Sequence, residues 1–209
     1  MCDYATLLRL LHRFSQEAGQ RPLTLGEVTD RLDETAYAFI AIILILPLLQ
    51  PVPLGPLTVL GGLTLAILGR QLLQGHHAPV LPARVRGVVL GKRMWQMIIA
   101  VSLRLVGFCR RFTRPRMQHL VSGQRGRRIA GHILIAGGLL MAIPFPVPLP
   151  LNNFLPGVAV IFYCIGELED DGMMVFVAVF LLFVTLVYFV AFYVLLWLFG
   201  RQALSYLLW

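Results

Sequence analysis

Leu46-Pro47-Leu48-Leu49-Gln50-Pro51-Val52-Pro53-Leu54-Gly55-Pro56 is a proline-crowded break inside an otherwise apolar segment, and its reading decides the fold. A shift of 97 positions lays Pro47 on Pro144, Pro51 on Pro148, Pro53 on Pro150 and Leu54 on Leu151 without a gap. The same shift lays Gly26 on Gly123, Arg31 on Arg128, Gly69 on Gly166 and Gly75 on Gly172. Proline removes a backbone donor and fixes φ, and glycine opens conformations closed to other residues, so their coincidence in one register indicates a duplicated structural unit.

Working outward from each break, apolar runs lie on both sides. Thr35 to Leu49 is apolar for about fifteen residues, which at 1.5 Å each reach ~22 Å into a hydrocarbon layer ~30 Å thick. Leu57 to Gly69 adds about thirteen more before Arg70, again short of the ~20 that a straight span needs. Together they read as a hairpin that enters a bilayer and returns to the same side. The second copy has the same proportions: Ile129 to Ile143 descends, Pro144 to Asn153 turns, Phe154 to Ile165 returns. Irregular backbone at that depth must be covered by protein or line a cavity, because lipid offers it no hydrogen bonds. Gly172 to Phe199 is twenty-eight residues without a charge, the pattern of a spanning helix.

Composition agrees with a membrane protein: 58% of the 209 residues are hydrophobic and 13% charged. Met1 to Asp3 lacks the order of a secretory signal, so the amino terminus is expected to be retained. The expected fold is an all-α polytopic membrane protein of two repeats, each a proline-broken re-entrant hairpin followed by a further helix. Its divisions are an amphipathic surface helix in 1–22, a first repeat with basic linker in 23–116, and a second repeat with the long transmembrane helix in 117–209. In the first, Leu7, Leu8, Leu11 and Phe14 fall at helical spacing; in the second, Thr24-Leu25-Gly26-Glu27 has capping-box spacing. Tyr206 and Trp209 resemble an interfacial anchor.

Whether the repeats are inverted or parallel turns on Met94 to Cys109, an apolar run interrupted by Gln96 and Arg104. A central arginine costs roughly 2.5–3.5 kcal/mol on insertion scales and favours an interfacial helix. Against that, the shift sets Gly75–Ser102 opposite the spanning Gly172–Phe199, which makes each unit three crossings and the repeats inverted. The inverted topology is the expectation taken here, with the parallel one left open.

All ten acids fall in Asp3 to Glu34 or Glu167 to Asp171, while Arg70 to Arg128 holds thirteen Arg or Lys and no acid. Between apolar hairpins, such a block reads as cytoplasmic positive-inside charge on anionic lipid headgroups, with Arg110, Arg111, Arg114 and Arg116 as contacts, and not as a nucleic-acid surface. The candidate substrate or ion site is the paired breaks and their flanks: Pro51, Pro53, Arg70, Gln71, Pro148, Pro150, Asn152, Asn153, Glu167 and Asp171. Broken helices at matching positions of two halves aim unpaired amides and carbonyls at one point, and the two asparagines could add ligands there. The bland alternative is that the prolines only shape turns. The shift also pairs Arg70 with Glu167, as an ion pair near a pseudo-twofold or as two charges snorkelling separately. Glu167, Glu169, Asp170 and Asp171 lack calcium-loop spacing and read as a solvated cap.

Cys2, Cys109 and Cys164 show no CxxC spacing, His76 and His77 lack a helical i, i+4 partner, and no nucleophile elbow or phosphate loop occurs. An enzyme is not expected, nor a metal or cofactor. His132 is either a proton carrier or a packing histidine.

Pro148-Leu149-Pro150-Leu151-Asn152-Asn153-Phe154-Leu155-Pro156, followed by Gly166, Glu169 and Asp171-Gly172, resembles the signature of the ExoD family of bacterial exopolysaccharide synthesis proteins. Pro51, Pro53, Gly69, Gln71, Gly75, Pro79, Leu81-Pro82 and the Pro115-Arg116-Met117 triplet resemble that family's first hairpin and linker. The likeness covers Leu23 to Phe199. It implies a multi-pass bacterial inner-membrane protein linked to exopolysaccharide production and alkali tolerance, with no catalytic residues to carry over. Val80 stands where the family often has tryptophan, and Gly55-Pro56 has no asparagine to match Asn153, so a symmetric two-asparagine site is not supported. Two roles follow as expectations: a transporter or ion-handling protein, or a non-transporting scaffold for polysaccharide enzymes or lipid. A homo-oligomer, such as a dimer, is expected to help cover the broken backbone.

Overall fold

A computed structural model describes residues 23–24, 26–27, 36–49, 56–76, 78–80, 87, 89–90, 116–144 and 149–207. The expected amphipathic helix in 1–22 and the ambiguous Met94–Cys109 lie outside them. Five α-helices account for most of the described chain: α1 Ala36–Ile45, α2 Pro56–Leu73, α3 Gly123–Ala142, α4 Phe154–Leu168 and α5 Met173–Leu207. A two-residue antiparallel pair, Leu23–Thr24 with Val89–Leu90, ties the chain ahead of α1 to the linker after α2.

The helix ends follow local chemistry. α1 tightens into a 3-10 turn over Leu46–Leu49, where Pro47 cannot continue the α-helical ladder. Pro56 opens α2 at a position whose N–H would be unpaired in any case. α3 stops at Ala142 because Ile143, ahead of Pro144, is forced into an extended conformation (φ −66°, ψ 117°). After α4, Asp170 adopts a left-handed φ of 54°, and the Asp171 carboxylate accepts the Met173 N–H at 3.0 Å to start α5. Farther upstream, Thr24 Oγ1 accepts the Glu27 N–H at 3.3 Å, the first half of the expected capping box.

Glycine decides how the helices meet. A Cβ on Gly69 would sit 2.6 Å from the Gly131 carbonyl oxygen, and one on Gly131 would sit 2.8 Å from the Gly69 oxygen. Seven residues along each helix, Gly62 and Gly138 obstruct one another in the same reciprocal way. Going forward on α2 is going backward on α3, so the two are antiparallel and in backbone contact at two points. α1 lies antiparallel to α2: Leu48 meets Gly61 at one end, and the Tyr37 hydroxyl donates to His76 O or Ala78 O (3.3 and 3.2 Å) at the other. α4 returns along α3, with Val160 over Gly137 and the Tyr163 hydroxyl 3.5 Å from Gly126 O. α1 packs on α4 through Ile45 and Leu49 over Gly157. α5 packs on α4 from Met174 over Gly166 to Tyr188, whose hydroxyl donates to Pro150 O at 2.8 Å.

The result is an up-down array. α1, α3 and α5 run one way, and α2 and α4 run the other. One end, the base, carries residues 74–76, 78–80, 116–122 and 169–172; the other, the tip, carries 46–49, 143–144 and 149–153. This corrects the expected inverted topology: inverted copies would run α1 against α3, whereas both run from base to tip. α5 outlasts the rest. The Tyr193 hydroxyl donates to Pro144 O at 3.0 Å beside the tip, and fourteen further helical residues carry α5 ~21 Å beyond.

The core mixes small residues with large apolar ones. Ala36, Ala41, Ala159 and Ala178 are fully buried, and Tyr37, Leu65, Leu134, Met141 and Ile165 fill the space between them. α5 is the exception. Phe180 (63% exposed), Phe183 (61%), Trp197 (60%) and Phe199 (65%) face outward.

Candidate functional site

The candidate residues fall into two groups at opposite ends of the bundle. Arg70, Gln71, Arg116, Glu167 and Asp171 are at the base; Pro150, Asn152 and Asn153 are at the tip. α4 separates them by ~22 Å, so they do not form one site. Pro51, Pro53, Pro148, Arg110, Arg111 and Arg114 lie outside the described residues.

At the base, side chains from three helices hold the segment that leaves α2. The Gln71 amide imitates a strand neighbour: its Nε2 donates to Val80 O at 3.0 Å, and its Oε1 accepts the Val80 N–H at 2.9 Å. Tyr37 of α1 reaches the His76 and Ala78 carbonyls. Arg127 of α3 donates to Gly75 O (3.5 Å) and His76 O (3.4 Å). Gly75 itself is left-handed, with φ +85°, and that turn is what lets the chain double back under α2. Gln71 therefore holds the linker, with one N–H and its carbonyl oxygen engaged by Val80.

The sequence motifs Arg116-Met117 and Asp171-Gly172, more than fifty residues apart, meet here. The Gly172 N–H donates to Arg116 O at 2.7 Å, and Met117 packs so close over Gly172 that a Cβ would strike it. Asp171 is 2% exposed and is occupied in capping α5. Glu167 lies one helical turn from Tyr163 and within hydrogen-bond reach of its hydroxyl. Arg70 points outward and does not pair with Glu167. The four carboxylates expected as a solvated cap are withdrawn, with Asp171 buried and the others half-buried, while Arg70, Arg116, Arg125 and Arg128 are exposed. This end of the molecule accordingly presents a basic face despite its nearby acids.

At the tip, Asn153 is 3% exposed and precedes α4 without capping it through its side chain. Two residues missed in the sequence matter more. Tyr188 and Tyr193 of α5 occupy the carbonyls of Pro150 and Pro144, the two shoulders of the second turn. The signal was available, since they are the only hydroxyl-bearing aromatics in an otherwise apolar run, but their partners were not.

A family model described as "Exopolysaccharide synthesis, ExoD" matches residues 7–191. Over 167 residues the chain is 29% identical to Protein ExoD of Rhizobium meliloti (strain 1021), covering 80% of this chain and 69% of that protein. No solved structure matches this chain.

Proposed function

Because the chain belongs to the ExoD family of exopolysaccharide synthesis proteins, we propose that it serves that process as a non-transporting, non-enzymatic protein of the inner membrane. In this reading two hairpins enter the bilayer from the cytoplasmic side and turn back, α5 alone crosses, and the basic base contacts anionic lipid and partner proteins.

The observation that carries the reading is the difference in length between α5 and the hairpins. Pro56–Leu73 also passes as a span by length and composition, at ~27 Å, but only the ~21 Å ahead of Arg70 is free of charge, and Arg128 to Ala142 likewise spans ~21 Å, less than the ~30 Å of a hydrocarbon layer. Met173–Phe199 spans ~40 Å and is apolar throughout. Its exposed Phe180, Phe183, Trp197 and Phe199 are costly in water and ordinary in lipid. Residues 46–56 and 143–153 carry no charge, as turns held at membrane depth require. The thirteen cations of Arg70–Arg128 orient the base toward the cytoplasm.

Val80 and Arg116 lie at the same end of the bundle, which supports the parallel arrangement. The 97-residue shift supports duplication in parallel form. It carries α1 onto α3 and α2 onto α4, and thereby exchanges the α2–α3 contact with the α4–α1 contact. It sends Gly138 to Ala41 and Gly62 to Ala159, both fully buried, so the closest approach in one half corresponds to small residues in the other. A pseudo-twofold along the helices relates copies of this kind.

Parallel hairpins give no basis for alternating exposure by inverted repeats, which is why transport ranks second; the buried Asn153 is what favours it. Complementation of a null strain separates the two. Arg116→Gln with Arg125→Gln and Arg128→Gln is expected to lower exopolysaccharide output several-fold at unchanged membrane abundance, while Asn153→Ala retains it. Loss with Asn153→Ala and retention with the arginine variant would favour transport.

A further inference from the structure

A groove of about 700 Å³ runs between α3 and α5 on the outer surface of the bundle. His132, Ala136, Leu139 and Ile143 form one wall, and Phe183 and Leu186 stand on the other. His132 is the one polar side chain among its lining residues. On α3 the wall continues toward the base at the same helical spacing: 125, 128, 132, 136, 139 and 143 follow one another by three or four residues and share one face. Arg125 and Arg128 are exposed on that face. The face is therefore cationic at the base, imidazole one turn deeper, and apolar from there to the tip.

From the hydrocarbon reading of the bundle given above, on which this inference rests, we propose that the groove holds one acyl chain of an anionic phospholipid of the inner leaflet. Its phosphate lies at Arg125 and Arg128, and His132 sits at the level of the glycerol ester. Three features fit this occupant. From His132 to Ile143 the wall is ~16 Å long, close to the ~15 Å of one leaflet, so the groove takes a chain of phospholipid length and ends where the leaflet does. A volume of about 700 Å³ is in the range of small-molecule sites, and its apolar walls offer a hydrocarbon chain contact without asking it for hydrogen bonds. Two exposed guanidiniums at the mouth supply charge-assisted hydrogen bonds to the phosphodiester, and the net negative charge of an anionic headgroup adds an attraction that the choline cation of a zwitterionic one cancels.

The test is native mass spectrometry of the full-length protein in detergent, with dioleoyl phosphatidylglycerol or dioleoyl phosphatidylcholine added. One phosphatidylglycerol should remain per chain, at least tenfold more tightly than phosphatidylcholine. Arg125→Gln with Arg128→Gln, which alters only exposed side chains, should remove that preference. Ala136→Phe, which fills the groove, should remove binding of both lipids. Equal retention of the two lipids by the wild type, unaltered binding in both variants, or a lipid-independent dimer that Ala136→Phe abolishes would each overturn the assignment. Alkaline-carbonate extraction of the same membranes separates the premises. Wild-type protein that resists extraction but shows no lipid preference sinks the groove alone, and protein that extracts sinks the membrane reading as well.

Discussion

Valine at Gly62, Gly69, Gly131 and Gly138 together is expected to abolish folded protein, seen as loss of the monodisperse peak in gel filtration after detergent extraction. Each Cβ would meet main-chain atoms of the facing helix at or below about 2.9 Å, and main chain cannot move aside as a flexible side chain can. Overpacking of this kind costs typically 1–3 kcal/mol per site, and four sites approach the whole stability of an ordinary domain, ~5–15 kcal/mol. The single variants Gly62→Val and Gly138→Val should each lower the thermal midpoint measurably. Leu63→Val, at an outward-facing position one residue along, should leave it nearly unchanged. Equal tolerance at Gly62 and Leu63 would mean that α2 and α3 do not approach as described.

Tyr188→Phe with Tyr193→Phe is expected to loosen the second hairpin while leaving the helices in place. Each hydroxyl satisfies a turn carbonyl on the outer surface of the bundle, and an acceptor orphaned where water cannot reach it costs ~1–3 kcal/mol. In a bilayer no water replaces the lost donor, so the pair should cost ~2–6 kcal/mol, read as a lower unfolding midpoint of the protein in lipid. The same substitutions would be almost silent if solvent reached the turn. The double variant therefore reports both on the contact and on its surroundings.

These two sets of residues also mark the limit of what the sequence made legible. The breaks were readable because proline acts locally: Pro144 ends α3 and Pro56 opens α2 within a residue of the expected Ile143 and Leu57, while α1 ends at Ile45, four residues before the expected Leu49, and gives way to the 3-10 turn that holds Pro47. The long apolar run from Gly172 was equally plain, and α5 begins at Met173. Direction was not local. It is fixed by Gly62 and Gly69 meeting Gly138 and Gly131 across sixty or more residues, and the seven-residue spacing on each helix does not name its partner. Arg104 and the length of the third element pulled the topology in opposite senses, and the inverted expectation followed the weaker of the two.

The candidate site fared similarly. Gln71 and Asp171 are expected at a substrate or ion site; in the structure Gln71 pairs with Val80 and Asp171 caps α5. The Arg70–Glu167 pair arose from the shift alone. Symmetry-related positions need not lie near the axis that relates them, and Arg70 faces outward while Glu167 turns to Tyr163. Tyr37 and Arg127, which hold the start of the linker, gave no sign of it, since backbone carbonyls as partners leave no trace in composition.

Labelling of single cysteines with a membrane-impermeant maleimide, in protein whose own Cys2, Cys109 and Cys164 are replaced, tests the central claim most directly. With cysteine at Gln74, Ser122 or Ala203, the account requires the first two to react only from the cytoplasmic face and the third only from the opposite face. Reaction of Gln74 and Ser122 from opposite faces, or of Ala203 from the same face as both, would contradict it.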